Sequence, residues 1–78
     1  MPRSLRSPRQ LRLLKELVAA RKNKGLTQSQ VAEVLGRPQS FVAKYEGGER
    51  RLDVIEFLDL TEVLEIDPCE LLAQVRRL

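Results

Sequence analysis

The chain of 78 residues has no histidine, no tryptophan and a single cysteine, Cys69. A lone cysteine excludes a disulfide within the chain and favours a reducing, cytoplasmic compartment. Without histidine and with one cysteine, the usual zinc ligands are missing, so we expect no metal and no cofactor. The chain also has no catalytic set built on histidine and no phosphate-binding loop, so we expect no enzyme activity.

Aromatic residues and long apolar runs are also scarce. Phe41, Tyr45 and Phe57 are too few for a stacking platform that holds single-stranded nucleic acid. No apolar run approaches the roughly 20 residues of a membrane-spanning helix, and we expect no signal peptide because the first ten residues lack an apolar segment. Strand patterns and internal repeats are absent from the sequence. A single all-α domain over residues 8–78 is therefore predicted.

Charge is distributed unevenly along the chain. Residues 1–51 hold 12 Lys or Arg against 4 Asp or Glu, a net charge of +8, whereas residues 52–78 hold 2 against 7, a net charge of −5. The result is the overall net charge of +3. A basic N-terminal segment of this kind suits docking of one face on a polyanion. Residues 1–7 are predicted to be a flexible basic arm, either simply disordered or touching DNA phosphates through Arg3 and Arg6.

Helix-start and helix-stop residues divide the rest into five predicted helices. Ser7 with Pro8, Thr27, Pro38, Asp53 and Asp67 mark the starts. Glycines mark the ends of the first three helices, at Gly25, Gly36 and Gly47. The inward stripe of the fourth helix is predicted to comprise Val54, Phe57, Thr61 and Leu64.

The segment from Thr27 to Glu46 predicts a helix-turn-helix, in which two short helices join at a tight turn containing Gly36. An ordinary helical hairpin in a small bundle is the alternative interpretation. The outward positions of the second helix favour the first interpretation, because Gln39, Ser40 and Lys44 can all hydrogen-bond base edges or phosphates. The glycine-rich loop that follows carries Arg50 and Arg51, which suit phosphate contacts.

Three segments together resemble a known family: GLTQSQVAEVLG (residues 25–36), QSFVAKYEGGERRLD (residues 39–53) and DLTEVLEIDPCELL (residues 59–72). They are similar to the lambda repressor-like helix-turn-helix proteins, the xenobiotic-response-element (XRE) family of bacterial and phage regulators. The resemblance implies an all-α, compact five-helix domain. It also implies binding to a near-palindromic operator on double-stranded DNA, commonly as a homodimer.

The resemblance further implies roles for individual residues at the DNA. Gln28 would contact a phosphate and brace Gln39. Gln39 and Ser40 would contact bases in the major groove, and a glutamine side chain suits adenine. Phe41 would lie against a thymine methyl group or a sugar, and Lys44 would reach guanine or a phosphate.

Other implied roles concern the phosphates and the scaffold. Arg51 matches a phosphate-contacting position, with Arg50 beside it, and Arg21 and Glu46 match a structural ion pair. Arg37 departs from the family pattern, which usually has an apolar residue there, and we expect it to lean outward toward DNA. Two further departures are Pro38, which replaces a Ser or Thr cap, and Glu65, which replaces a helix-ending glycine and is expected to adopt a strained or different cap.

The predicted function is therefore a sequence-specific transcriptional regulator, a repressor by expectation, that acts as a homodimer. Its dimer interface is predicted from apolar residues that are not all needed to fill the core: Leu58, Leu72, Val75 and Leu78. The alternative function is a small antitoxin-like adaptor whose acidic half binds a protein partner. The acidic residues concerned are Asp59, Glu62, Glu65, Asp67 and Glu70, which could equally be a solvated face.

Overall fold

A computed structural model describes residues 7–78, and within this range the chain forms five α-helices and no strand. The helices are α1 (Pro8–Asn23), α2 (Gln28–Leu35), α3 (Gln39–Glu46), α4 (Val54–Leu64) and α5 (Pro68–Arg76). The predicted all-α, five-helix architecture is confirmed. The predicted basic arm, with Arg3 and Arg6, lies outside the described residues except for Ser7.

Side-chain oxygens accept backbone N–H bonds at the start of four helices, and these caps are Ser7, Thr27, Asp53 and Asp67. Two of them form complete capping boxes, because the side chain three residues on also accepts the N–H of the cap residue: Gln30 for Thr27, and Glu56 for Asp53. Helix α3 begins after Pro38, which makes no side-chain cap bond. The start of α3 therefore depends on its surroundings rather than on a local cap.

Two of the helices end at a residue whose backbone has the left-handed conformation. Gly36 closes α2 with φ 69° and ψ 30°, a conformation that glycine adopts without steric penalty. Glu65 closes α4 with φ 56° and ψ 44°, and it is the one non-glycine residue of the described range with a positive φ. Its carboxylate lies 2.9 Å from Lys24 Nζ. The expected unusual cap at Glu65 is thus present.

All five helices contribute to one apolar core. Its buried members are Leu14, Leu17, Val31, Ala32, Phe41, Val42, Tyr45, Phe57, Leu60, Leu64, Leu71 and Val75. Val54 was expected in this core but is 72% exposed, and Leu60 is buried in the α4 stripe instead. Side chains on a helix point toward its N-terminus. The side chain of Val54, the first residue of α4, therefore extends beyond the N-terminal end of the helix and not onto the core.

Helices α1 and α5 lie together so that the start of one meets the end of the other. Arg9 Nε donates to the carbonyl oxygen of Leu78 and its Nη2 to that of Arg76, both over 3.0 Å. These bonds satisfy carbonyl groups that a helix C-terminus otherwise leaves open. In the α2–α3 pair, α3 packs against α1 and α2 packs against α4, which also contacts α5.

Candidate nucleic-acid interface

The turn between α2 and α3 contains a residue with unusual backbone freedom, Gly36, and one with a restricted backbone, Pro38. Gly36 turns the chain through the left-handed region, and Pro38 holds an extended conformation with φ −63° and ψ 151°. Val31 and Ala32 of α2 are buried together with Val42 of α3. This packing fixes the angle between the two helices, so the outward face of α3 has a defined direction.

The outward face of α3 is polar. Gln39, Ser40 and Lys44 are exposed, while Val42 and Tyr45 of the same helix are fully buried. This division matches the prediction, since the three exposed side chains are those that can hydrogen-bond bases or phosphates. Lys44 adds a positive charge in the last turn of the helix.

Phe41 does not lie where the resemblance implied. Its side chain is only 7% exposed and belongs to the core, where its ring meets that of Tyr45 edge to face with centroids 5.6 Å apart. Guanidinium groups of Arg37 and Arg50 cover the ring, with their carbon atoms 4.1 Å and 4.9 Å from its centroid. The expectation that Phe41 contacts a thymine methyl group is therefore corrected. The side chain of Phe41 packs in the core and has a structural role.

A chain of hydrogen bonds ties the first residue of α3 to α1. Gln39 Nε2 donates to Gln28 Oε1 over 2.9 Å, and Gln28 Nε2 donates to Glu46 Oε1 over 3.0 Å. Glu46 in turn accepts from Arg21 Nε over 2.7 Å and from Arg21 Nη2 over 3.1 Å. The expected brace between Gln28 and Gln39 and the expected Arg21–Glu46 ion pair are both present.

Glu46 fixes the direction of every bond in this chain. An ionised carboxylate only accepts hydrogen bonds, so Gln28 must present its NH₂ group to Glu46 and its oxygen to Gln39. Gln39 must then donate with one N–H of its own NH₂ group. Its oxygen and its second N–H remain for an external partner. One acceptor beside one donor is the pair that matches N6 and N7 of adenine.

The ion pair beneath this chain is well shielded. The side chains of Arg21 and Glu46 are 11% and 7% exposed, and Arg21 Nη1 also donates to the carbonyl oxygen of Leu26 over 2.8 Å. The hydrogen bond with Glu46 raises the pKa of Arg21 above its ordinary value. Burial likewise raises the pKa of Tyr45, whose hydroxyl is buried without a hydrogen-bond partner in the described part of the protein.

The basic residues expected at phosphates lie around α3, and two of them share one carboxylate. Arg51 and Lys44 are exposed. Arg37 and Arg50 are both bonded to Glu56, with Arg37 Nη2 3.1 Å from its Oε2, and Arg50 Nη1 and Nη2 2.8 Å from Oε1 and Oε2. The hydrogen bonds from Arg50 lower the pKa of Glu56 to about 2. Glu56 was not among the residues predicted at the interface.

The predicted dimer residues fall into two groups. Leu58, Leu72 and Leu78 are 44%, 48% and 52% exposed, as an interface requires. Val75 is only 9% exposed and packs in the core, so its place in the predicted interface is corrected. It lies one helical turn after buried Leu71, and the pair shares the inward face of α5.

Other candidate chemistry is limited in residues 7–78. The acidic side chains of Asp59, Glu62, Glu65, Asp67 and Glu70 are all exposed. Within the described range no group of three His, Cys, Asp or Glu residues could hold a metal ion. The helices described are also too short or too polar to cross a membrane.

Comparisons with known proteins find relatives that share this architecture. A family model described as helix-turn-helix (HTH_3) matches residues 17–71. An XRE-family like protein from Pseudomonas syringae pv. tomato has a solved structure with 49% sequence identity and a TM-score of 0.83, and the match covers 88% of this chain and 84% of that one. The restriction-modification controller protein C.AhdI from Aeromonas hydrophila is 32% identical with a TM-score of 0.72, covering 80% of this chain and 94% of its own. No curated protein sequence matches this chain.

Proposed function

The chain belongs to the XRE family of DNA-binding helix-turn-helix regulators, and on that premise we propose that it places α3 in the major groove of double-stranded DNA and recognises a specific sequence. The observation that carries this proposal is the bond from Gln39 to Gln28. It orients the first side chain of α3 before any DNA is present. A held side chain loses less conformational freedom on binding than a free one.

Base recognition in this proposal rests on three side chains. Gln39 presents an acceptor and a donor to adenine, as the direction of its bond to Gln28 requires. Ser40 and Lys44 contact the neighbouring base edges or phosphates. Phe41 takes no part, because its ring is covered by two arginines.

Phosphate contacts come from residues around α3. Arg51 is exposed in the loop that follows the helix. The NH₂ group of Gln28 carries a second N–H beyond the one given to Glu46, and this N–H suits a phosphate oxygen. Such contacts fix the position of the protein on the duplex and make its affinity dependent on salt.

We further propose that the protein acts as a homodimer on a near-palindromic operator and represses transcription. A single module of this size covers little DNA, so useful specificity calls for two copies. The exposed leucines Leu58, Leu72 and Leu78 support an interface made by α4, α5 and the residues that follow α5. Two recognition helices would then lie about 34–36 Å apart, one turn of DNA.

The test is selection of DNA ligands from a random duplex pool at two salt concentrations. A palindromic consensus whose affinity falls steeply with salt would support the dimeric, sequence-specific regulator. Salt-sensitive binding without a consensus would overturn sequence recognition. Absence of binding at low salt would overturn the whole proposal and direct attention to the exposed acidic residues.

Variants then connect the consensus to α3. Gln39→Ala is expected to abolish the preference at one base pair in each half-site, because the adenine contact is lost. Lys44→Gln is expected to weaken binding, and Lys15→Gln is its charge-matched control on α1, where Lys15 is also exposed. Equal losses from both lysine variants would contradict a contact made by Lys44.

Repression is tested separately by transcription in vitro. The selected operator is placed across a promoter or well upstream of it, and transcript is measured as protein is added. We expect transcript to fall only with the operator across the promoter, because a bound dimer would exclude the polymerase. A rise in transcript from the upstream position would identify an activator.

A further inference from the structure

Three segments of the chain meet around one carboxylate beside α3. Arg37 comes from the α2–α3 turn, Arg50 from the loop after α3, and Glu56 from the first turn of α4. Oε1 of Glu56 accepts from Arg50 and from the N–H of Asp53, and Oε2 accepts from Arg50 and Arg37. Two bonds on each oxygen use the accepting capacity of the carboxylate fully.

The ring of Phe41 gives both arginines a second support. Their guanidinium carbons lie 4.1 Å and 4.9 Å from the ring centroid, within the distance at which a cation is attracted to an aromatic face. Because Phe41 is anchored in the core, the position of each guanidinium is set by a carboxylate and a rigid ring together. Such long side chains are otherwise among the most mobile on a protein surface.

Exposure shows which part of the cluster can meet a ligand. The Glu56 side chain is 12% exposed, whereas those of Arg37 and Arg50 are 41% and 38% exposed. The carboxylate is therefore covered, and the two cations remain accessible with an excess of one positive charge. An arginine has five N–H donors, so each keeps donors that are not directed at Glu56.

We propose that Glu56 is a positioning residue that presents Arg37 and Arg50 as a preformed pair for a phosphate of the DNA backbone. This inference rests on the proposed DNA binding. It assigns to an acidic residue a favourable role at a surface that binds a polyanion. Two guanidinium groups fixed in advance suit phosphate oxygens geometrically as well as by charge.

The proposal predicts a change in DNA affinity opposite to the one expected from charge alone. By charge alone, removal of an acidic group close to the interface would tighten DNA binding, because repulsion of the phosphates is lost. If Glu56 positions the arginines, its removal weakens binding although the protein becomes more positive. The matched control is Glu49→Gln, which removes the same charge from an exposed residue next to Arg50 in the chain.

The experiment measures the affinity of wild type, Glu56→Gln, Glu56→Asp and Glu49→Gln for the selected duplex as a function of salt. We expect Glu56→Gln to bind about 5–20-fold more weakly and to lower the salt slope by about one, the value of one lost phosphate contact. Glu56→Asp, which keeps the charge but shortens the side chain, is expected to weaken binding as well. Glu49→Gln is expected to match or exceed wild type.

Circular dichroism at the assay temperature verifies that each variant is folded, and Glu56→Asp keeps the test decisive if Glu56→Gln unfolds. Affinity of Glu56→Gln and Glu56→Asp equal to or above that of wild type overturns the inference and leaves the proposed function intact. A wild-type protein that binds no duplex overturns the proposed function and this inference with it.

Discussion

The ion pair between Arg21 and Glu46 is expected to dominate the stability of the α1–α3 contact. Its side chains are 11% and 7% exposed, and removal of one partner from such a pair leaves an uncompensated charge that costs about 3–5 kcal/mol. Glu46→Gln keeps the shape of the side chain and one accepting oxygen. We therefore expect its cost in unfolding free energy to lie at the lower end of this range, about 3 kcal/mol. The melting temperature of a domain this size falls by roughly 4–8 °C per kcal/mol, so we expect a loss of roughly 12–24 °C.

The assay is thermal and urea unfolding of wild type beside an exposed control. Glu16→Gln breaks the Arg12–Glu16 pair, whose side chains are 38% and 33% exposed. It is expected to cost less than about 1 kcal/mol, because solvent screens such pairs. Similar losses from Glu46→Gln and Glu16→Gln would refute the reasoning from burial.

A double variant identifies the origin of the loss. In Arg21→Met with Glu46→Leu no charge is left unpaired, so it is expected to be more stable than Glu46→Gln alone. If the double variant were instead the least stable of the set, the attraction between Arg21 and Glu46 would itself stabilise the fold. The loss in Glu46→Gln would then not come mainly from a buried charge left without its partner.

Three further predictions concern the remainder of the chain. Glu65→Gly is expected to stabilise the protein by up to about 1 kcal/mol in urea unfolding, because glycine relieves the left-handed strain, and Lys24→Gln isolates the effect of the exposed ion pair lost with it. The pKa of Glu56 is lowered from 4.5 to about 2 on folding, so its stabilisation is complete above pH 4.5 and is lost as the pH falls through 2. The difference in unfolding free energy between wild type and Glu56→Gln should therefore shrink between about pH 5 and pH 2, and a constant difference would contradict this. Leu72→Asp is expected to weaken self-association in analytical ultracentrifugation, whereas Val34→Asp, at a residue 68% exposed on α2, should not.

Helix boundaries could be predicted from the sequence because the signals that set them are local. Thr27 with Gln30 and Asp53 with Glu56 act within three residues, and Gly36 closes α2 through its own backbone freedom. The polar face of α3 followed from helical periodicity in the same way. For these features the sequence and the structure agree, because the interactions that determine them are made between residues close together in the sequence.

The features that could not be predicted depend on residues that are distant in sequence. Phe41 lies one helical turn before buried Tyr45, but the two arginines that cover its ring come from a turn and a loop, and no periodicity within α3 reveals them. Arg37 leans outward as expected, with a side chain that is 41% exposed, but its bond to Glu56, 19 positions away, has no local signal in the sequence. Val75 and Leu72 are both apolar residues of α5, and only the packing of α1 decides which of them is buried.

Helix α3 depends more on tertiary contacts than on local sequence signals. Helix α3 has eight residues and no side-chain cap at its start, and isolated helices shorter than about 12 residues are marginal in water. Its order must therefore come from buried Tyr45 and from the bonds that link Gln39 through Gln28 and Glu46 to Arg21. Under the proposed function, the same contacts that hold α3 in the fold also set the direction in which Gln39 presents its amide. Stability and base preference are therefore coupled through Glu46, a residue that need not touch DNA.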